Sequence, residues 1–356
     1  MRDFRYETLP VRVVFGAGAA RTRVAEEIER LGARRLLVLT GKSGEALARD
    51  LSRPVADRVA AVFTGVRPHV PVEVADDARG CAVAAEADAV LSVGGGSATG
   101  TAKVVALTTG LPVVAVPTTY AGSEVTSMWG LTEGGTKTTG VNPVVQPRVV
   151  IYDPELTVSL PAGLSAVSGL NAMAHCVEAF WAPGRNPISS LIAEEGIRAL
   201  ATGLPAVVAD GADMGARSDM LYGAYLAGSA FAVAGSGLHH KICHVLGGAF
   251  DLPHAETHAI VLPYVLAFNA LAAPEAASRI AAALGADDAA RGLVQLCRQL
   301  GVPRGLREIG LREEQLAGAV RSIQDAVPPD NPRPVSEDDL RRLLLDAWAG
   351  SEPDDD

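Results

Sequence analysis

"LSVGGGSATGTAKVVAL", from Leu91 to Leu107, decides how the first half of the chain is read. An apolar run, "DAVLSV" (Asp88–Val93), leads into three glycines, and a helix-forming stretch follows at once. Glycine lets a backbone come close to a ligand, and a helix start presents unpaired N–H groups with partial positive charge. Together they suit a pyrophosphate. The bland reading is a tight strand-to-helix turn. Its place at the carboxyl end of a parallel strand favours a nucleotide site, because open α/β sheets take ligands there. Gly94, Gly95, Gly96 and Ser97 are therefore candidate cofactor-binding residues.

Outward from this stretch the same alternation repeats. "VRVVFG" (Val11–Gly16), "RLLVLT" (Arg35–Thr40), "AAVFTG" (Ala60–Gly65), "PVVAVP" (Pro112–Pro117) and "RVVIYDP" (Arg148–Pro154) are short apolar strands, and helix-like stretches separate them. Strands apolar on both faces, alternating with helices, imply a parallel sheet covered on both sides. "RTRVAEEIERLG" (Arg21–Gly32) has helical period and stops on Gly32. "FGAGAAR" (Phe15–Arg21) is only a fragment of a dinucleotide fingerprint, with Arg21 in the third glycine's place, and reads as a turn. No acid closes the "RLLVLT" strand, so nothing there would exclude a 2′-phosphate, and both NADH and NADPH stay open.

Between Pro117 and Pro147 the pattern changes to a Thr-, Gly- and Ser-rich stretch without helical period, expected as a long functional loop. After Leu160 strand signals almost vanish, and stretches such as Ser165–Pro183, Ile188–Ala209, Arg217–Gly235, Ala259–Leu284 and Ala290–Gly301 suit helices. The expected organisation is an α/β Rossmann-like domain over residues 1–157, an all-α domain over 158–350, and an acidic, solvated tail over 351–356.

Composition narrows the function classes. With 48% hydrophobic and 20% charged residues the chain builds substantial cores. Its net charge of −10, with no long basic run, argues against nucleic acid. Apolar runs such as "LPVVAVP" fall far short of the ~20 residues a membrane helix needs. "MRDFRYE" lacks the apolar core of a secretory signal, and the four scattered cysteines read as reduced thiols, so a cytoplasmic protein is expected.

Four of the seven histidines fall in "LHHKICHVLGGAFDLPH" (Leu238–His254). Residues four apart share a helix face, which pairs His240 with His244 and Asn171 with His175. Lys241 and His244, three apart, are also neighbours, and the turn after the helix would bring His254 back over its end. His239 faces away by roughly 100° and is given a structural or surface role. His258 and His69 read as bland. Asn171, His175, His240 and His254 could then converge. Three imidazoles with a carboxylate would make a good divalent site. Here the fourth group is an amide and Lys241 adds positive charge, so the set is a poor metal site.

"GGGSATGTAK", "PTTYAGSEVTSMWGLTEGGTKTTG", "IYDPELTVSLPAGLSAVSGLNAMAHCVEAFWAPGRNPIS" and "HHKICHVLGGAFDLPHAETHAIVLPYVLAFN" together resemble the iron-containing alcohol dehydrogenase superfamily, and within it the maleylacetate reductase branch. The resemblance implies a Rossmann-like N-terminal domain and a helical C-terminal domain with a cleft between them, and a homodimer joined through the N-terminal strand. It implies NADH or NADPH bound through the glycine loop and through Thr118, Thr119 and Ser123, with Lys137 reaching the nicotinamide ribose or the substrate. Metal-dependent members hold iron or zinc with an aspartate and three histidines; those positions fall on Asn171, His175, His240 and His254. His244 matches a further active-site histidine. The chain departs from the metal pattern at Asn171, and from the common glycine-loop motif at Gly100, where an aspartate is usual. Both departures resemble the maleylacetate reductase branch, which implies that no metal is required.

The activity implied is NAD(P)H-dependent reduction of maleylacetate, a small dicarboxylate, to 3-oxoadipate. Catalytic candidates are His175, His240, Lys241, His244, His254 and Asn171. Lys241, with His175 or His240, would hold a carboxylate or the enolate oxygen, and His240 or His244 would donate the proton. Competing readings are a metal-dependent alcohol dehydrogenase, a reductase of a related keto or unsaturated acid, a dehydroquinate-synthase-like lyase and a silent cofactor binder.

Overall fold

The structure is a computed structural model describing residues 3–134 and 136–353. It divides into two compact units, the first spanning Thr8–Leu160 and the second holding the chain from Pro161 onward.

The first unit is built on six parallel strands: β1 (Arg12–Phe15), β2 (Leu36–Leu39), β3 (Val59–Phe63), β4 (Ala89–Gly94), β5 (Val113–Pro117) and, later in the chain, β8 (Val149–Tyr152). They lie in the order β1-β8-β5-β4-β2-β3. Four helices connect them: α1 (Ala19–Arg30), α2 (Glu45–Ser52), α3 (Val72–Ala84) and α4 (Gly96–Thr109). Strand period two explains why the strands read as continuous apolar runs. Leu36, Val38, Leu91, Val93, Val114, Val116, Val149 and Ile151 face one core with Val24 and Ile28 of α1. Leu37, Leu39, Val90 and Val113 face another with Ala78 of α3 and Ala102 and Val105 of α4. The inner strands β2, β4, β5 and β8 thus have two buried faces, as a covered parallel sheet requires, while β1 and β3 at its edges are only partly covered. The strand order reverses between β2 and β4, which makes their carboxyl ends the switch point where such sheets bind ligands. The glycine loop is the carboxyl end of β4.

The stretch expected as a long loop is more ordered than that reading. It forms an antiparallel ribbon, β6 (Met128–Glu133) and β7 (Thr136–Val141), that turns near Gly134. Thr132, Thr136 and Thr138 share one parity, which suits a strand, but the adjacent Thr139 and the glycine-rich composition masked it. Lys137, read as a loop residue, lies on β7 opposite Thr132.

The second unit is helical: α5 (Ala162–Glu178), α6 (Pro187–Ala209), α7 (Met214–Ala234), α8 (Leu238–Phe250), α9 (His254–Ala270), α10 (Pro274–Leu284), α11 (Ala289–Leu300), α12 (Leu316–Gln324) and α13 (Glu337–Ala349). The single helical stretch read over Ala259–Leu284 is two helices, broken just before Pro274, where the residue preceding proline leaves helical geometry. One core gathers Leu238, Ile242 and Leu246 of α8, Val261 and Val265 of α9, Val320 of α12 and Leu340 and Leu344 of α13. The beginning of the expected solvated tail is pinned: the Tyr264 hydroxyl donates to the Ser351 carbonyl at 2.9 Å, and Arg298 pairs with Glu352. The rest of that tail, residues 354–356, lies outside the described residues.

Candidate active site

In the first unit, two helix starts compete as phosphate sites. The start of α1 is already occupied: the Asp153 carboxylate accepts from the backbone N–H of Gly18 and of Ala20, each at 3.0 Å. "FGAG" is therefore the turn it was read as. The start of α4 has no side-chain cap and no acid in its first turn, so its partial positive charge is not offset by a side chain, as it is at α1. Gly94, Gly95, Gly96 and Ser97 are all partly exposed.

The glycines there are sterically required. Gly94 has φ +147°, a backbone that side chains rarely adopt. A Cβ on Gly95 would lie 2.8 Å from Cγ2 of Thr119, and one on Gly96 would lie 3.2 Å from Cβ of Ala121. The Thr118 N–H donates to the Gly94 carbonyl at 3.1 Å. The glycine loop and the Thr118–Ala121 segment thus pack directly on each other. Buried Glu124 anchors the segment from below, its Oε1 accepting from the Tyr152 hydroxyl at 2.7 Å. Lys137 packs over Gly130 on the ribbon, and burial lowers its pKa.

In the second unit, the histidine candidates do meet. The rings of His175 and His240 stack with centroids 5.0 Å apart, and Phe231 of α7 lies 4.5 Å from the first and 4.7 Å from the second. His240 to His244 is 6.0 Å, and His244 to His254 is 6.5 Å. The turn does return His254: Asp251, at φ +54°, ends α8, and His254 opens α9. Asn171 sits one turn before His175, with its Oδ1 buried and lacking a hydrogen-bond partner among the described residues; the same holds for Nδ1 of His175. A buried polar atom without a partner costs about 1–3 kcal/mol, so a bound polar group would be stabilised there. Lys241 is half-buried and makes no ion pair among the described residues.

Of the histidines set aside, His239 takes the structural one of the two roles expected for it, and His258 is placed beside the cluster. His239 and His258 are fully buried, and His239 Nε2 lies 2.9 Å from His258 Nδ1. His258 also joins the cluster, with its ring 4.4 Å from His254 and 4.9 Å from His240. Sequence period placed His239 off the His240 face correctly, but it does not report that α9 packs on that other face. With Cys243 these two form a close triad. Two nitrogens on one tetrahedral metal at ~2.0–2.1 Å stand about 3.3 Å apart, so 2.9 Å is a hydrogen bond rather than a shared ion. Burial lowers His239 to about 3 and holds His175 and His258 well below the ordinary imidazole range, so all three are neutral at pH 7.

Sequence reading missed Glu178. It is fully buried at the end of α5. Its carboxylate accepts from the N–H of Gly237 at 2.8 Å and of His239 at 2.7 Å, capping α8, and lies 2.5 Å from Nδ1 of His240. Burial pushes Glu178 up, while His239 and the backbone donors act against it. Its one sequence signal was being the only acid in the apolar run Ser165–Pro183.

The Asn171, His175, His240 and His254 set offers an amide and three imidazoles, and Glu178 is directed at α8 and His240 Nδ1 instead. By donor chemistry it is a weaker fit for a divalent cation than the same frame with an aspartate.

Comparison with known proteins covers the whole chain. A family model described as iron-containing alcohol dehydrogenase matches residues 10–154, and one described as Fe-containing alcohol dehydrogenase family, C-terminal, matches residues 165–348. A maleylacetate reductase from Sphingobium indicum is 47% identical over 351 residues, covering 99% of each chain. The crystal structure of maleylacetate reductase from Rhizobium sp. superposes with a TM-score of 0.95 at 46% identity, covering 99% of this chain and 100% of that one. The crystal structure of an iron-containing alcohol dehydrogenase from Corynebacterium glutamicum gives 0.96 at 50% identity, covering 99% of each.

Proposed function

The chain belongs to the iron-containing alcohol dehydrogenase family, and from that premise we propose that it reduces maleylacetate with NADH or NADPH. The observation that carries this reading is the histidine frame with Asn171 in the acid's place, joined to whole-chain likeness to several maleylacetate reductases. Gly94–Ser97, Thr118, Thr119, Ser123 and Lys137 are proposed to bind the dinucleotide.

In the proposed reaction a hydride leaves the nicotinamide for an alkene carbon, and the electron pair moves to the conjugated carbonyl oxygen as an enolate. Lys241 offers positive charge for a carboxylate or the enolate oxygen. His240 or His244 returns a proton to carbon; with Nδ1–H of His240 held by the Glu178 carboxylate, His240 would give that proton from Nε2 as an imidazolium and be left neutral. Because the donor set lacks a carboxylate, we propose that the reaction does not need a metal.

The test is NADH or NADPH oxidation with freshly made maleylacetate, with and without EDTA. Turnover in EDTA supports the reading, and absence of turnover with both cofactors overturns it. Turnover lost in EDTA and regained with Fe²⁺ or Zn²⁺ would return the metal. A second reading, a metal-dependent alcohol dehydrogenase, draws on the name of the Corynebacterium glutamicum structure, and metal-stimulated alcohol oxidation with NAD⁺ would favour it.

A homodimer through the N-terminal stretch is proposed as well. It is supported by β1 lying at the sheet edge with Phe15 43% exposed, and light scattering tests it. Among the described residues no single helix is long and apolar enough to cross a membrane. A cytoplasmic location is proposed from the four scattered cysteines, read as reduced thiols.

A further inference from the structure

Lys103 lies two turns into α4, and its side chain is fully buried. Its Nζ donates to the Ser123 carbonyl at 2.5 Å, the Met128 carbonyl at 2.8 Å and Thr126 Oγ1 at 2.9 Å, with Ser123 Oγ at 3.4 Å. An ammonium has three donors, so these acceptors saturate it. Thr126 Oγ1 in turn donates to the Ser123 carbonyl at 3.1 Å, so the segment closes on itself around the cation. Burial pulls Lys103 down to about 7, with Glu124 acting in the opposite sense. A buried cation of this kind is expensive for the fold, and replacing it by an apolar side chain of similar size is often tolerated.

We propose that Lys103 is a positioning residue for the dinucleotide: it ties the Ser123–Met128 turn to the helix that begins at the glycine loop, so that both cofactor-facing segments keep one fixed separation. The inference rests on the assignment of Gly94–Ser97 and Thr118–Ser123 to the cofactor. Those segments already meet at the loop itself, through the Thr118-to-Gly94 hydrogen bond and the Gly95–Thr119 contact. Lys103 adds a second tie, deeper along α4 and from underneath. Two ties hold the Thr118–Met128 segment in both position and tilt, where one would leave it hinged. A segment ordered in advance lowers what the cofactor must order on binding. The sequence carried a faint signal, a lysine amid "TGTAKVVAL" on a helix buried on both sides.

Lys103→Met removes the donors and keeps the length of the side chain. Titration with NADH, read by its fluorescence, is expected to show a dissociation constant raised roughly tenfold. kcat at saturating NADH and KM for the organic substrate are expected to stay within about twofold, a split that general destabilisation does not produce. Hydrogen exchange at the amides of residues 123–128 is expected to accelerate. Thr126→Val removes one acceptor and is expected to act in the same direction more weakly; it carries the test if Lys103→Met does not fold. Gly95→Ala perturbs the glycine loop itself. If Gly95→Ala weakens NADH binding while Lys103→Met and Thr126→Val bind as wild type, Lys103 is no positioning residue and the cofactor-loop assignment stands. If all three bind as wild type, that assignment fails and this proposal fails with it.

Discussion

Oε2 of Glu178 lies 2.5 Å from Nδ1 of His240, although the two residues are 62 positions apart in the chain. The same carboxylate caps α8, so one buried acid sets both the start of the helix and the orientation of its central imidazole. Glu178→Gln keeps the size and loses the anion. Its amide nitrogen must also face backbone N–H groups. The expected outcome is a kcat lower by roughly tenfold to a hundredfold, with stability reduced by about 1–3 kcal/mol. Steady-state kinetics and thermal unfolding check both, and wild-type values in each would remove Glu178 from the site.

Lys241 is half-buried and makes no ion pair among the described residues, which leaves it available for a substrate carboxylate. Lys241→Met is expected to lose on the order of 1.5–3 kcal/mol of transition-state binding. The loss should show in kcat/KM for the dicarboxylate, with KM for NADH unchanged. Equal loss for a neutral substrate analogue would contradict a carboxylate role.

Asn171→Asp restores a carboxylate beside three imidazoles. Retention of Zn²⁺ or Fe²⁺ after dialysis is expected to rise by roughly tenfold or more over the parent chain. Elemental analysis of both proteins measures it. Equal metal content would show that the amide is not what weakens the site.

Gly95 faces Thr119 with no room for a methyl, since a Cβ would stand 2.8 Å from Cγ2. Gly95→Ala must displace the Thr119 side chain, at an expected cost of about 1–3 kcal/mol in stability. NADH affinity is expected to fall with it, by roughly tenfold. Calorimetric titration and denaturant unfolding read the two effects separately.

Glu27 of α1 is buried between Arg12 and Arg30, which reach it at 2.8 Å each. Burial raises its pKa, but hydrogen bonds from Arg12 and Arg30 outweigh this and hold it below the ordinary value. A carboxyl depressed on folding stabilises above its unfolded pKa, and that contribution is lost as pH falls through the folded pKa. Glu27→Gln is therefore expected to be less stable at pH 7 by on the order of 1–2 kcal/mol, because both arginines stay half-exposed and screened. The gap should close below about pH 4.5. Urea unfolding at pH 7 and at acid pH decides it, and a gap constant with pH would refute the linkage.

The sequence by itself determined whatever depends on neighbours along the chain. Apolar runs of strand length, punctuated by helices, require a sheet buried on both faces, and β1 to β5 and β8 lie where those runs are. The glycine loop was legible because backbone geometry at Gly94 is a local demand. Four-residue spacing placed His240 with His244, and Asn171 with His175, because helical period alone sets that. Tertiary structure decided the rest. Which face of α8 is covered depends on α9, so His239 and His258 became a buried hydrogen-bonded pair that no spacing announced. Glu178 at His240 and Lys103 beneath Ser123 are both charged groups inside apolar runs. A charge survives such burial only through specific partners, and those partners are brought to it by packing between distant segments rather than by any pattern within its own.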